Sequence, residues 1–191
     1  MDIILASQSP RRRELLKNVV KEFRVVPSGV DEEPLREPDP VAFALKAATA
    51  KAKDVGERFP SSLIIGADTL VCLRNKVFGK PESHGDARSM LAMLSGERHR
   101  VVTAVALYRK DEGRMLAGTE TSWVTFKKLS QESIEDYLEA NEYLDKAGSY
   151  AIQEAGDAFI ENLEGEYDNV VGLPVRLLKI LLSEFLSARQ A

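Results

Sequence analysis

Residues 62–67 read Ser-Leu-Ile-Ile-Gly-Ala, and the polar pair Asp68-Thr69 follows at once. The run is short, apolar and without polar alternation, which is the pattern of a strand covered on both faces. A strand of that kind needs helices packed over its sheet, so the chain is held to an α/β arrangement. A second apolar run, residues 2–6 (Asp-Ile-Ile-Leu-Ala), hands a loop to a helix that Ser9 caps and Pro10 begins. Strand-to-helix turns of this type are common phosphate sites in α/β folds.

The rest of the chain fills in a mixed sheet. Residues 23–26 form another short strand, and 99–108 and 115–126 form a long antiparallel pair joined by Lys-Asp-Glu-Gly. Residues 159–163 and 167–171 flank Gly165 and read as a second hairpin. Helices are expected from Asp39-Pro40 to about Val55, with Phe43, Ala44, Ala47 and Ala48 inward, and from Ser83 to about Leu94, closed by Gly96. Another runs from Ser130 to about Ala140. The last starts at Pro174 and carries a stripe of Leu177, Leu178, Leu181, Leu182 and Phe185. Residues 141–156, with Gly148 and Gly156, read as irregular. No repeat or linker interrupts the pattern, so residues 1–191 are expected as one domain.

The helix at Ser9 breaks a rule. Its first turn holds Arg11, Arg12 and Arg13, where the helix dipole favours acidic residues and each misplaced cation costs roughly 0.3–1 kcal/mol. Either the arginines spread into solvent, or the turn is built for an anion, with the Ser7 and Ser9 hydroxyls and one or two arginine forks converging on a phosphate. The chain's net charge of −4 argues against nucleic acid as the partner, so the basic turn reads as a site for a small anion.

Asp68 lies directly after an apolar strand, at the rim where open α/β sheets bind ligands. It either caps a turn or supplies an ionised carboxylate to hold a divalent cation or activate water. Strand geometry would send Thr69 to the opposite side. Asp31, Glu32 and Glu33 are either a solvated acidic loop or a source of magnesium ligands. Lys51 and Lys80 are either surface lysines or compact charges for a polyphosphate, and Lys80 sits in a chain break between Gly79 and Pro81. Gln153 ends the string Leu-Asp-Lys-Ala-Gly-Ser-Tyr-Ala-Ile-Gln, as part of a structural turn or as a reader of a base.

Other classes fall away. The two histidines and one cysteine cannot build a usual His/Cys zinc site. His99 reads as a structural histidine, and Cys72, in an apolar strand, as an inert thiol. No apolar run approaches a membrane span, and the acidic start is unlike a secretory signal, so a cytoplasmic protein is expected.

Together the strings LASQSPRRRELL, GADTLV, GKP, LSGERHRVVTAVAL, LDKAGSYAIQ and NVVGLP resemble the Maf family of nucleoside triphosphate pyrophosphatases, also called septum formation proteins. The resemblance implies an elongated α/β fold with a long mixed sheet and a deep cleft, similar to the inosine triphosphatase fold. It implies hydrolysis of the α–β phosphate bond to a monophosphate and pyrophosphate, with a divalent metal, magnesium or manganese. It makes Asp68 the general base, assigns Ser9, Arg11, Arg12, Lys51 and Lys80 to the triphosphate, and puts Asp31 with Asp68 as metal-side carboxylates. Arg11, Thr69 and Gln153 match the branch that acts on dTTP and UTP. An aromatic residue after Ser-Pro, characteristic of the branch acting on 7-methyl-GTP, is replaced here by Arg11. The family also suggests a homodimer. Rival readings are a non-catalytic nucleotide-binding regulator of cell division and a purine triphosphatase acting on inosine or xanthosine nucleotides. Before Asp-Lys-Ala-Gly the chain has Glu142-Tyr143, where family members often have Glu-Pro.

Overall fold

The apolar run at 62–67 does form a buried strand, and it continues through the polar pair. β3 spans Leu63–Leu73, and only Thr69 and Leu73 along it are partly exposed. The computed structural model describes residues 1–187. Around β3 lie β1 (Ile3–Leu5), β2 (Arg24–Val25), β4 (Lys76–Phe78), β5 (Arg98–Arg109), β6 (Arg114–Phe126) and β7 (Ile160–Glu164). They form one sheet in the order β2-β1-β3-β5-β6-β7, with β4 paired to β3. β1 runs parallel to both β2 and β3, with Ile4 opposite Ile64. β4 is antiparallel to β3 and β7 antiparallel to β6, so the sheet is mixed as expected.

Helices α1 (Pro10–Lys17), α2 (Pro40–Arg58), α3 (His84–Leu94), α4 (Gln131–Ala140), α5 (Ile152–Phe159), α6 (Tyr167–Val171) and α7 (Val175–Ser187) complete the fold. The capping residues read from the sequence do their work: Ser9, Asp39, Ser83 and Ser130 each accept a first-turn backbone N–H. The chain divides into two compact units. The first comprises residues 1–68, 103–120 and those from Gly172 onward; the second comprises 69–102 and 121–171.

In the first unit, Leu5, Leu63, Ile65, Val105 and Leu107 from the strands pack with Leu16 and with Leu178, Leu181, Leu182 and Phe185 of α7. The stripe expected on the last helix is therefore the buried face, with Leu177 at its edge against Gly118. The inner face of α2 is small, with Ala44, Ala47, Ala48 and Ala52 fully buried. That smallness lets α2 lie very close to β3. A Cβ on Gly66 would sit 2.9 Å from the Ala52 nitrogen and collide with the Ala48 carbonyl oxygen.

In the second unit, α3, α4 and α5 cover β-strand residues Val71, Phe78, Val101, Val124 and Phe126. Two expectations change here. Residues 167–171 are a helical turn, α6, and not a strand; β7 pairs with β6 instead. The side chain of Asn169 decides it: fully buried, it donates to the Val101 carbonyl at 3.0 Å and to Ser122 Oγ at 2.9 Å. Tertiary hydrogen bonding thus overrides the strand preference of Val170 and Val171. Residues 152–156, expected as irregular, open α5, whose N-cap is Ala151 without any side-chain cap. The sequence carries no start signal there, and Gly156 (φ 41°) bends the helix from within.

His99 is structural, as expected. It is fully buried, shares a 2.7 Å hydrogen bond between Nε2 and the Tyr150 hydroxyl, and meets Phe126 edge-on at 4.9 Å. Burial lowers its pKa from 6.5 to about 4 and pushes the Tyr150 hydroxyl's up. The unfolded chain therefore binds a proton that the folded chain refuses. The stability this contributes is fully present above pH 6.5 and is lost as pH falls toward 4, by roughly 3 kcal/mol. Urea denaturation across that range should show a slope that His99→Gln flattens; an equal slope in both proteins would exclude His99 as its source.

Candidate active site

The close approach at Gly66 has a direct consequence two residues on. Lys51, on α2, reaches the carboxylate of Asp68 on β3, with Nζ 2.6 Å from Oδ1. The same ammonium lies 2.7 Å from Oε1 of Glu32, in the loop before α2. Asp68 is 4% exposed, and its second oxygen, Oδ2, is buried with no hydrogen-bond partner. Burial pushes the Asp68 carboxyl above the usual carboxylate range; Glu32 adds to the rise, while Lys51 and Arg12 oppose it. A buried carboxylate with one oxygen held and the other unpartnered is suited to accept a proton or to meet a cation.

The arginine turn is next. Arg12 does not spread into solvent: its Nε donates to the Gly172 carbonyl at 2.8 Å and a terminal nitrogen approaches Ser7 Oγ at 3.4 Å. Burial draws its pKa down, Asp68 and Glu32 hold it up, and Arg11 lowers it further. The two serines organise the turn. Ser7 Oγ accepts from the Ser9 N–H at 3.1 Å, and Ser9 Oγ accepts from the Arg12 N–H at 3.4 Å. Arg11 is half-buried and Arg13 exposed.

Of the residues singled out in the sequence, Ser7, Ser9, Arg12, Lys51 and Asp68 are thus tied into one charged cluster of the first unit. Asp31 is not tied into it. It is exposed, and its Oδ1 closes a local turn on the Glu33 N–H at 3.1 Å. Glu32, one residue on, is the loop carboxylate that meets Lys51. Lys80, Thr69 and Gln153 belong to the second unit, Lys80 and Gln153 exposed and Thr69 partly so. β3 continues through Asp68-Thr69, so Asp68 lies within the strand and not just after its end at the sheet's rim, where the sequence reading put it.

Two site features carried no readable signal. Three consecutive acidic positions do not say which one faces Lys51, because loop direction is a tertiary matter. The Gly172 carbonyl that anchors Arg12 is main chain and has no side chain to read.

Among the described residues no three His, Cys, Asp or Glu side chains form a cluster that would hold a metal unaided. Asp68, with its unpartnered oxygen, and Glu32 supply two carboxylates around one ammonium. That donor set fits a magnesium-like ion, which uses one or two carboxylates and completes its shell with phosphate oxygens and water.

A family model for Maf-like proteins matches residues 2–185. The chain belongs to the Maf-like family. Among relatives of this Maf-like chain, a dTTP/UTP pyrophosphatase of Pyrococcus furiosus is 46% identical over 173 residues, covering 91% of this chain and 90% of the relative. A dTTP/UTP pyrophosphatase of Clostridioides difficile is 41% identical over 187 residues, covering 98% and 96%. The fold is shared with the Ham1 protein of Staphylococcus aureus, at TM-score 0.55 and 14% identity over 96% of this chain and 99% of that one. A HAM1 protein of Coxiella burnetii shares it at TM-score 0.51 and 14% identity, with the same coverage. No helix among the described residues is long and apolar enough to cross a membrane.

Because the ion pair depends on how near α2 lies to β3, Gly66→Ala tests the arrangement. The added methyl meets helix backbone that cannot swing aside, and overpacking of this kind costs about 1–3 kcal/mol. Thermal denaturation should show the loss, and activity of the folded fraction should fall as Lys51 is displaced from Asp68. A variant of unchanged stability and activity would mean that the helix has room to move.

Proposed function

We propose that this Maf-like protein is a nucleoside triphosphate pyrophosphatase that hydrolyses the α–β phosphate bond of dTTP and UTP, releasing the monophosphate and pyrophosphate. The observation that carries the mechanism is the buried Asp68 carboxylate, held through one oxygen by Lys51 and without a hydrogen-bond partner at the other. The substrate assignment is supported by full-length relatives of that activity and by Arg11, Thr69 and Gln153.

Water is the nucleophile. Its oxygen bonds to phosphorus as the α–β bridging bond breaks, pyrophosphate leaves with the bridging oxygen, and Asp68 takes the water's proton. The upward shift of the Asp68 carboxyl makes it a stronger base than an exposed aspartate while leaving it ionised at higher pH. Arg12 and Lys51 meet the growing negative charge on the phosphates, and Arg11 and Lys80 are likewise assigned to triphosphate binding. Ser7 and Ser9 hold the turn that presents Arg12. A divalent cation, magnesium or manganese, would be held by Asp68 and Glu32 with the phosphate oxygens, and when bound it neutralises phosphate charge. Arg11 and Arg12, unfavourable at a helix N-terminus alone, become favourable against a triphosphate.

Asp68→Asn should reduce release of pyrophosphate from dTTP by about 10²–10⁴-fold while calorimetry still detects nucleotide binding. In the unaltered enzyme, the acid limb of kcat/KM should lie above the ordinary carboxylate range, since only ionised Asp68 can accept the proton. Full turnover by Asp68→Asn would remove the base assignment, and cleavage restricted to purine triphosphates would remove the pyrimidine one.

A further inference from the structure

Within the second unit, Lys146 is a buried cation that the mechanism above does not use. Its side chain is 3% exposed. Its ammonium donates to the Glu142 carbonyl and to Asp145 Oδ1 at 3.1 Å, and lies 3.5 Å from Glu154 Oε1. Burying an ammonium is costly unless it is paired, and an apolar side chain of equal length would fill the same space without that cost. What the ammonium adds is a tie: one nitrogen gathers groups from residues 142, 145 and 154. Glu154 is tied a second time, its Oε2 accepting from the Tyr137 hydroxyl at 3.2 Å, and that same hydroxyl accepts the Ala151 N–H at 3.1 Å. Gln153 stands between residues 151 and 154, so its backbone is bracketed on both sides.

The middle of this segment is fastened elsewhere. Gly148 adopts φ 69°, and its N–H donates to the Gly79 carbonyl at 3.0 Å, directly before Lys80. A Cβ on Gly148 would meet Val71 side-chain atoms at 3.1–3.2 Å, and Ser149 beside it also holds a positive φ of 66°. Glycine takes this conformation freely, whereas Ser149 holds it at a cost that the surrounding contacts must offset. One segment therefore carries Gln153 at its end and grips the loop of Lys80 at its centre.

We propose that Lys146 and Gly148 are positioning residues of the pyrophosphatase: the buried ammonium fixes Gln153, and the Gly148–Gly79 hydrogen bond fixes Lys80. The inference rests on the reading above that Gln153 contributes to base specificity and Lys80 to triphosphate binding. It joins the two tasks, since the same strapped segment presents the base-reading amide and the phosphate-binding ammonium.

The test is a double-mutant cycle on specificity, the ratio of kcat/KM for UTP to that for GTP. Lys146→Met should lower this ratio about tenfold, mainly through KM for UTP, and should lower it no further in a Gln153→Ala background. Glu154→Gln, which loosens the same tie at a partly exposed residue, should move the ratio in the same direction and keeps the test available if Lys146→Met does not fold. For the other arm, Gly148→Ala should weaken binding of inorganic tripolyphosphate about tenfold in calorimetry, with no added loss on top of Lys80→Ala. Unchanged ratios in folded Lys146→Met and Glu154→Gln, or losses that simply add to those of Gln153→Ala and Lys80→Ala, would overturn the proposal. If Gln153→Ala alone leaves the ratio unchanged, the base-reading assignment fails and the Lys146 arm falls with it.

Discussion

The ion pair between Lys51 and Asp68 is the interaction around which the candidate site is built, and it exists because a helix comes unusually near a strand. α2 lies against β3 through alanines and through Gly66, where even a methyl group would strike helix backbone. At that separation a lysine one turn along the helix reaches the carboxylate two residues along the strand. Taking both charges out of water is expensive, and a hydrophobic pair of similar size would stabilise the fold at least as well. The charges make sense for a site that must hold an ionised carboxylate and receive a polyanion. Packing of small residues sets the distance, the distance sets the pair, and the pair leaves the other Asp68 oxygen buried without a hydrogen-bond partner.

The second unit solves a different problem. Its core includes polar side chains that bond inside it, His99 through Nε2 to Tyr150 and Asn169 through its amide nitrogen to Val101 and Ser122, and Asn169 holds its segment in a form that propensity does not favour. The segment from Glu142 to Glu154 is the extreme case. It sends Tyr150, Ala151 and Ile152 into buried positions, holds two residues of positive φ, and has a lysine nitrogen as its organising centre. Loops that carry functional side chains need such fastening, because a loop free to move presents its side chains at many positions and loses the advantage of preorganisation.

The arginine turn shows how a local cost is offset by tertiary partners. Three cations at a helix N-terminus disagree with the dipole, yet Arg12 is drawn inward by the Gly172 carbonyl and by the field of Asp68 and Glu32. The Ser7 and Ser9 oxygens accept first-turn backbone N–H groups and shape the turn, which leaves each hydroxyl's own hydrogen to donate elsewhere.

Much of this was written in the sequence. Apolar runs, helix caps and proline positions are local signals, so the strands at 3–5 and 63–67, the helices begun at Pro10, Pro40, His84 and Gln131, and the stripe on the last helix were all readable. The arginine turn stood out because its charges violate a local rule, whereas Asp68 and Lys51 each had an ordinary turn or surface reading and were named for a site through the family resemblance. Tertiary structure decided the rest, wherever the deciding contact lies far along the chain. Asn169 makes a helix of a strand-like segment through partners 68 and 47 residues away. Lys51 selects Glu32 over Asp31 although the two acids are neighbours in sequence. Lys146 looks like any surface lysine until the fold closes around it. Local propensity is a matter of tenths of a kilocalorie per residue, whereas burying an unpaired polar group costs about 1–3 kcal/mol, so the buried polar groups had the final word.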